Sequence, residues 1–75
     1  MSKRDRALTA LGKNVRKRRT ALKLSQQRLA AKAGLDRSYV SDIERGVRNP
    51  SLRVMVSIAN ALRTTLAKLL EGIDR

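Results

Sequence analysis

The stretch LSQQRLAAKAGLDRSYVSDIERG, residues 24–46, decides how this chain folds. After Ser25 come good helix formers, with Leu29, Ala30 and Ala33 recurring on one face. A serine hydroxyl accepts from the orphan N–H groups of the next turn, so Ser25 reads as an N-cap. Gly34 ends the segment, because helices commonly stop on a residue with positive φ. The spacing predicts a helix over Gln26–Ala33. Asp36 is placed to cap another helix, and its charge suits a helix N-terminus. Val40 and Ile43 point inward in that helix, and Gly46 ends it. The remainder, Arg37, Ser38, Tyr39, Ser41, Asp42 and Arg45, leaves most of its surface unable to face a core.

Outward from this pair, Leu8, Leu11, Val15 and Leu22 recur at helical spacing and predict a first helix over Ala7–Ala21. Downstream, Asn49 reads as a cap with Pro50 in the first turn, where no N–H is needed. That helix is expected to reach about Leu62, with Leu52, Met55, Ile58, Ala59 and Leu62 inside. A short fifth helix spans about Thr65 to Leu70. No alternating pattern with turn signals predicts a strand. The expectation is an all-α, compact five-helix domain over residues 7–75. MSKRDR, residues 1–6, lacks an apolar anchor and reads as a flexible basic arm.

Composition narrows the function. Eighteen Lys and Arg oppose six Asp and Glu, a net charge of +12 on 75 residues. Residues 1–34 carry eleven basic residues and one acid, whereas residues 35–75 carry seven and five. Such a field suits a polyanion, nucleic acid before anionic membrane. With neither Cys nor His, the chain offers no disulfide, thiolate–metal site or imidazole base. No paired-carboxylate motif or phosphate-cradling glycine loop stands in for them, so no catalytic residue, metal or cofactor is expected. No apolar run approaches the roughly 20 residues of a membrane span. A membrane-active cationic helix is disfavoured by Gly34, Gly46 and Pro50 and by the lack of Trp and Phe. A cytoplasmic setting is the expectation.

Counted from Gln26, residues Leu29, Ala30, Ala33, Gly34, Leu35, Val40 and Ile43 stand at the offsets of a helix-turn-helix. Ala30 falls where the two helices nearly touch, and Gly34 at a turn that needs positive φ. From about Leu8 to Ile73 the chain resembles the Cro and repressor-like (XRE-type) DNA-binding domains. LSQQRLAAKAGLDRSYVSDIERGVRNPSL looks particularly like the controller proteins of bacterial restriction-modification systems. The resemblance implies a regulator of transcription that binds an operator in double-stranded DNA as a homodimer. Its third helix would lie in the major groove. It also gives the polar face a purpose: Arg37, Ser38, Ser41 and Asp42 become candidate base readers, Arg37 by a bidentate bond to guanine. An Asp42–Arg45 pair competes with base reading by Asp42.

Gln26, Gln27, Tyr39, Arg45, Arg48, Asn49 and Arg53 become candidate contacts to the DNA backbone. Arg19 and Glu44 match a buried salt bridge of the family. Arg18 stands where an apolar residue is common and is expected to snorkel. Lys23 stands where a helix-ending glycine is common, so it must take positive φ or the turn must differ. RNA polymerase is a candidate partner, although Gln27 and Arg28 replace the acidic contact that activating relatives often carry. Surplus apolar residues Val54, Val56, Ile58, Leu69, Leu70 and Ile73 are expected to form the dimer interface. The rival function is an antitoxin or transcriptional bridging factor, whose main role is protein–protein interaction.

Overall fold

A computed structural model describes residues 5–74. Its helices run α1 Arg6–Ala21, α2 Gln26–Ala33, α3 Arg37–Glu44, α4 Leu52–Ala61 and α5 Leu66–Leu69, and no strand occurs among the described residues. Residues 1–4 of the expected arm lie outside the described residues. Asp5 and Arg6 belong to the start of α1, because the Asp5 carboxylate accepts from the Leu8 N–H at 3.0 Å. Ser25, Ser51 and Thr65 cap α2, α4 and α5 in the same manner. Asp36 precedes α3 without a side-chain cap bond.

The start of α4 differs from expectation. Ser51, not Asn49, is the cap, and its hydroxyl accepts from the Val54 N–H at 3.1 Å. Pro50 is buried rather than helical, in an apolar cleft beside Leu8, Leu11, Met55, Leu70 and Ile73. Burying the ring there leaves the next residue to satisfy the first turn, which a serine hydroxyl does well.

The core is one cluster: Leu11, Val15, Leu29, Ala30, Val40, Ile43, Ile58, Ala59, Leu62 and Leu69. Two outcomes here correct the apolar assignments. Ile58, expected both inside α4 and at the dimer interface, and Leu69, expected at that interface, are 1% and 3% exposed and serve the core of a single chain. Leu52, expected inside, is 64% exposed. The helical phase accounts for it: once Met55, Ile58, Ala59 and Leu62 face inward, Leu52 and Val56 fall together on the outer flank.

Polar side chains of α1 hold the C-terminal half in place. Arg18 does not snorkel; its Nε donates to the Leu62 carbonyl at 2.9 Å and its Nη2 to the Arg63 carbonyl at 3.0 Å. Asn14 Nδ2 donates to the carbonyls of Leu69 and Glu71 at 2.9 and 2.8 Å. These acceptors lie at the ends of α4 and α5, where carbonyls lack helical partners and a cation also meets the favourable end of the dipole. Lys23 takes the left-handed conformation at φ 59, as the turn demanded, and Arg63 does so at φ 56. In both turns the following N–H closes back on the helix, Leu24 to Arg19 O and Thr64 to Ala59 O.

Candidate nucleic-acid interface

Two close approaches set the position of α3. A Cβ on Gly12 would lie 2.4 Å from the Ile43 carbonyl oxygen and 2.6 Å from that of Glu44, so α1 meets α3 backbone to backbone. Ala30 is 3% exposed in the core where α2 joins α3. Larger residues at either place would push α3 outward. Gly34 carries the turn between α2 and α3 at φ 70.

A charged cluster locks the arrangement. Arg19 Nε donates to Glu44 Oε2 at 2.6 Å and Nη2 to Oε1 at 3.0 Å, while Nη1 donates to the Leu24 carbonyl at 2.7 Å. The two side chains are 12% and 4% exposed. The hydrogen bond to Glu44 holds the Arg19 guanidinium above its already high pKa; burial opposes this and the carboxylate's charge adds to it. Gln26 Nε2 also donates to Glu44 Oε1, at 3.0 Å. The Gln26 side chain, expected against a phosphate, is therefore turned onto the salt bridge. Its amide finds a buried charge there, which is a stronger acceptor than water. What the start of α2 offers an anion is its backbone N–H groups, beside exposed Gln27.

The outward face of α3 carries the expected base readers together. Arg37 and Ser38 are exposed, Ser41 and Asp42 half-buried, and Val40 and Ile43 fill the inner side. Asp42 Oδ1 accepts from Arg45 Nη2 at 2.6 Å, an exposed pair contributing at most about 1 kcal/mol. Asp42 and Arg45 thus neutralise each other, and Arg37 has no hydrogen-bond partner among the described residues. Tyr39 packs half-buried against the core, and the Arg48 guanidinium lies 4.1 Å from its ring centroid. That stacking fixes Arg48 beside α3. Asn49 and Arg53 are exposed on the neighbouring loop and first turn of α4.

Sequence reasoning missed Gly12, Asn14 and the inward role of Gln26. Gly12 had a legible signal, since glycine inside an otherwise regular helix is costly without a close contact. Asn14 and Gln26 had none, because their acceptors come from distant parts of the chain.

A family profile described as helix-turn-helix matches residues 15–69. The control protein C.SmaI of Serratia marcescens is 43% identical over 60 residues, covering 80% of this chain and 71% of its own. The crystal structure of the restriction-modification controller protein C.AhdI from Aeromonas hydrophila superposes with a TM-score of 0.81 at 47% identity, covering 83% of this chain and 94% of that one. The biofilm master regulator SinR, solved in complex with DNA, superposes with a TM-score of 0.78 at 32% identity, over 81% and 98% of the two chains.

Proposed function

This chain belongs to the helix-turn-helix family of XRE-type regulators, and on that premise we propose that it acts as a restriction-modification controller protein. It binds its operator as a two-fold dimer with α3 in the major groove. The observation that carries this reading is the division of α3. Its inner side is buried to 0% at Val40 and 1% at Ile43, while Arg37 and Ser38 stand in solvent as hydrogen-bonding groups. In this reading Arg37 donates to guanine O6 and N7, with Ser38 and Ser41 beside it. Asp42 serves by orienting Arg45 toward the backbone rather than by reading a base. The backbone N–H groups at the N-terminus of α2, with the exposed Gln27 side chain, and the group Tyr39, Arg48, Asn49 and Arg53 grip phosphates on either side.

Dimerisation uses the outer flank of α4, where Leu52 and Val56 are exposed, together with the half-buried surface of Val54, Leu70 and Ile73. Leu52 and Val56 are 64% and 41% exposed, and a small domain gains stability by covering such surface. No helix of the described residues is long and apolar enough to cross a membrane. A cytoplasmic site of action fits a protein whose ligand is bacterial DNA. RNA polymerase contact, if α2 supplies it, would run through Gln27 and Arg28 rather than an acidic residue.

The test is selection of bound duplexes from a random pool, followed by affinities for the selected operator and its single-base variants. Arg37→Ala should lose about 1–3 kcal/mol of discrimination at one guanine per half-site. Equal loss on every variant would remove Arg37 from the base-reading role. Failure to enrich any sequence would remove the regulatory reading in favour of a protein-interaction role.

A further inference from the structure

Helix α1 carries six basic residues and no acidic one. Two of them are engaged internally, Arg18 by the carbonyls of Leu62 and Arg63 and Arg19 by Glu44. The other four, Arg6, Lys13, Arg16 and Lys17, are exposed and make no ion pair among the described residues. Arg6, Lys13 and Lys17 fall on one side of α1, opposite core residues Leu11 and Val15, with Arg16 on the flank. Lys68 of α5 borders the same side, across an open cleft lined by Asn14, Lys17 and Thr64 and by one carboxylate, Glu71.

A merely solvated helix face intersperses both signs of charge. Here Lys13 with Arg16 and Lys13 with Lys17 stand at i,i+3 and i,i+4, spacings at which like charges oppose the helix. Residues 26–53, which include the reading side, hold six basic and three acidic residues; with Glu44 set aside because it is paired with Arg19, their net is +4, matched by the four exposed cations of α1. Positive charge among the described residues is therefore not confined to the surface that reads DNA.

Nor do the two faces share a direction. Through Gly12 and Arg19, α1 meets α3, on the far side from Lys13 and Lys17. For its part, α3 turns Val40, Ile43 and Glu44 toward the interior and Ser38 and Arg45 away. A duplex seated on α3 thus leaves the α1 stripe exposed behind the domain.

We propose that this outward face of α1 is a second DNA-binding surface, which holds the phosphate backbone of a second duplex segment while α3 reads the operator. The inference rests on the groove-reading role proposed for α3. The stripe from Arg6 to Lys17 extends about 16 Å along the helix, the rise of about five base pairs. Its central lysines, Lys13 and Lys17, are point charges with Ala10 and Thr20 beside them, the chemistry of contact to a phosphate backbone. A lipid surface is the poorer fit, because no aromatic or large aliphatic side chain flanks the lysines for insertion.

Sequential capture tests the proposal. An immobilised duplex bearing the selected operator is loaded with protein, washed, and offered a labelled duplex of unrelated sequence. The parent should capture the label. K13E/K17E should bind the operator as the parent does and fail to capture it. The milder K13Q/K17Q should lower the slope of log capture against log salt by about 2 per protomer, two phosphate contacts at about 0.9 each. Thermal unfolding of both variants establishes that α1 remains folded. Undiminished capture by K13E/K17E, with the operator bound, overturns the second surface and leaves the reading role of α3 intact. Failure of the parent to bind the operator overturns both. Parent protein that sediments with phosphatidylglycerol vesicles but captures no second duplex overturns the assignment in favour of a membrane.

Discussion

Replacing Glu44 by leucine removes the acceptor on which three donors converge: Arg19 Nε and Nη2 and Gln26 Nε2, at 2.6, 3.0 and 3.0 Å. Arg19 then keeps only the Leu24 carbonyl, in a site where its side chain is 12% exposed. Stranding one member of a buried pair costs about 3–5 kcal/mol. Stability of about 0.05–0.15 kcal/mol per residue gives a chain of this length about 4–11 kcal/mol, so the loss is a large share of the whole. For a domain of this size it corresponds to a fall in Tm of about 12–40 °C. The double variant Arg19→Met with Glu44→Leu behaves differently. It removes the desolvated charges along with their attraction, and such replacements are often neutral or stabilising. Urea unfolding followed by circular dichroism measures both, with an unchanged slope confirming that only stability moved. A single variant within about 1 kcal/mol of the parent, or a double variant as unstable as the single, would refute this account of the α1–α3 lock.

Three further expectations follow from the same geometry. Gly12→Ala should destabilise by about 1–3 kcal/mol despite alanine's better helix propensity, since the new methyl meets two backbone carbonyls that cannot rotate away; a more stable variant would show that α1 can shift freely. Val56→Asp should weaken dimerisation and palindrome binding while leaving the melting of dilute monomer nearly unchanged, whereas Leu69→Asp should unfold the chain because Leu69 is core; sedimentation and calorimetry separate the two. Stability should be flat between about pH 6 and 9, because no His or Cys titrates there. The raised pKa of Arg19 agrees in sign: a raised basic group stabilises fully below its unfolded pKa and loses that only as pH climbs through the folded one, far above this window. A step in Tm across the window would contradict this.

Local chemistry alone was enough to fix α2, its serine cap and its left-handed Gly34, because caps and turns are decided by neighbours within four residues. The inner side of α3 was legible for the same reason, since Val40 and Ile43 carry the period themselves. The strain at Lys23 could be read from a turn that required positive φ. The phase of α4 could not be read. Its apolar residues outnumber one buried stripe, and packing against α2 and α5 chose Ile58 and Leu62 for the core and left Leu52 and Val56 outside. Pro50 became a buried residue rather than a first-turn one, lining a cleft with Leu8, Leu11, Met55, Leu70 and Ile73 that exists only once distant chain segments have come together. Gln26 turned toward Glu44, and Asn14 and Arg18 toward the ends of α5 and α4, because those acceptors exist only once the chain has closed. Sequence specifies what a residue can donate, accept or bury; the tertiary structure selects the partner, because partners remote in sequence become neighbours only when the core forms.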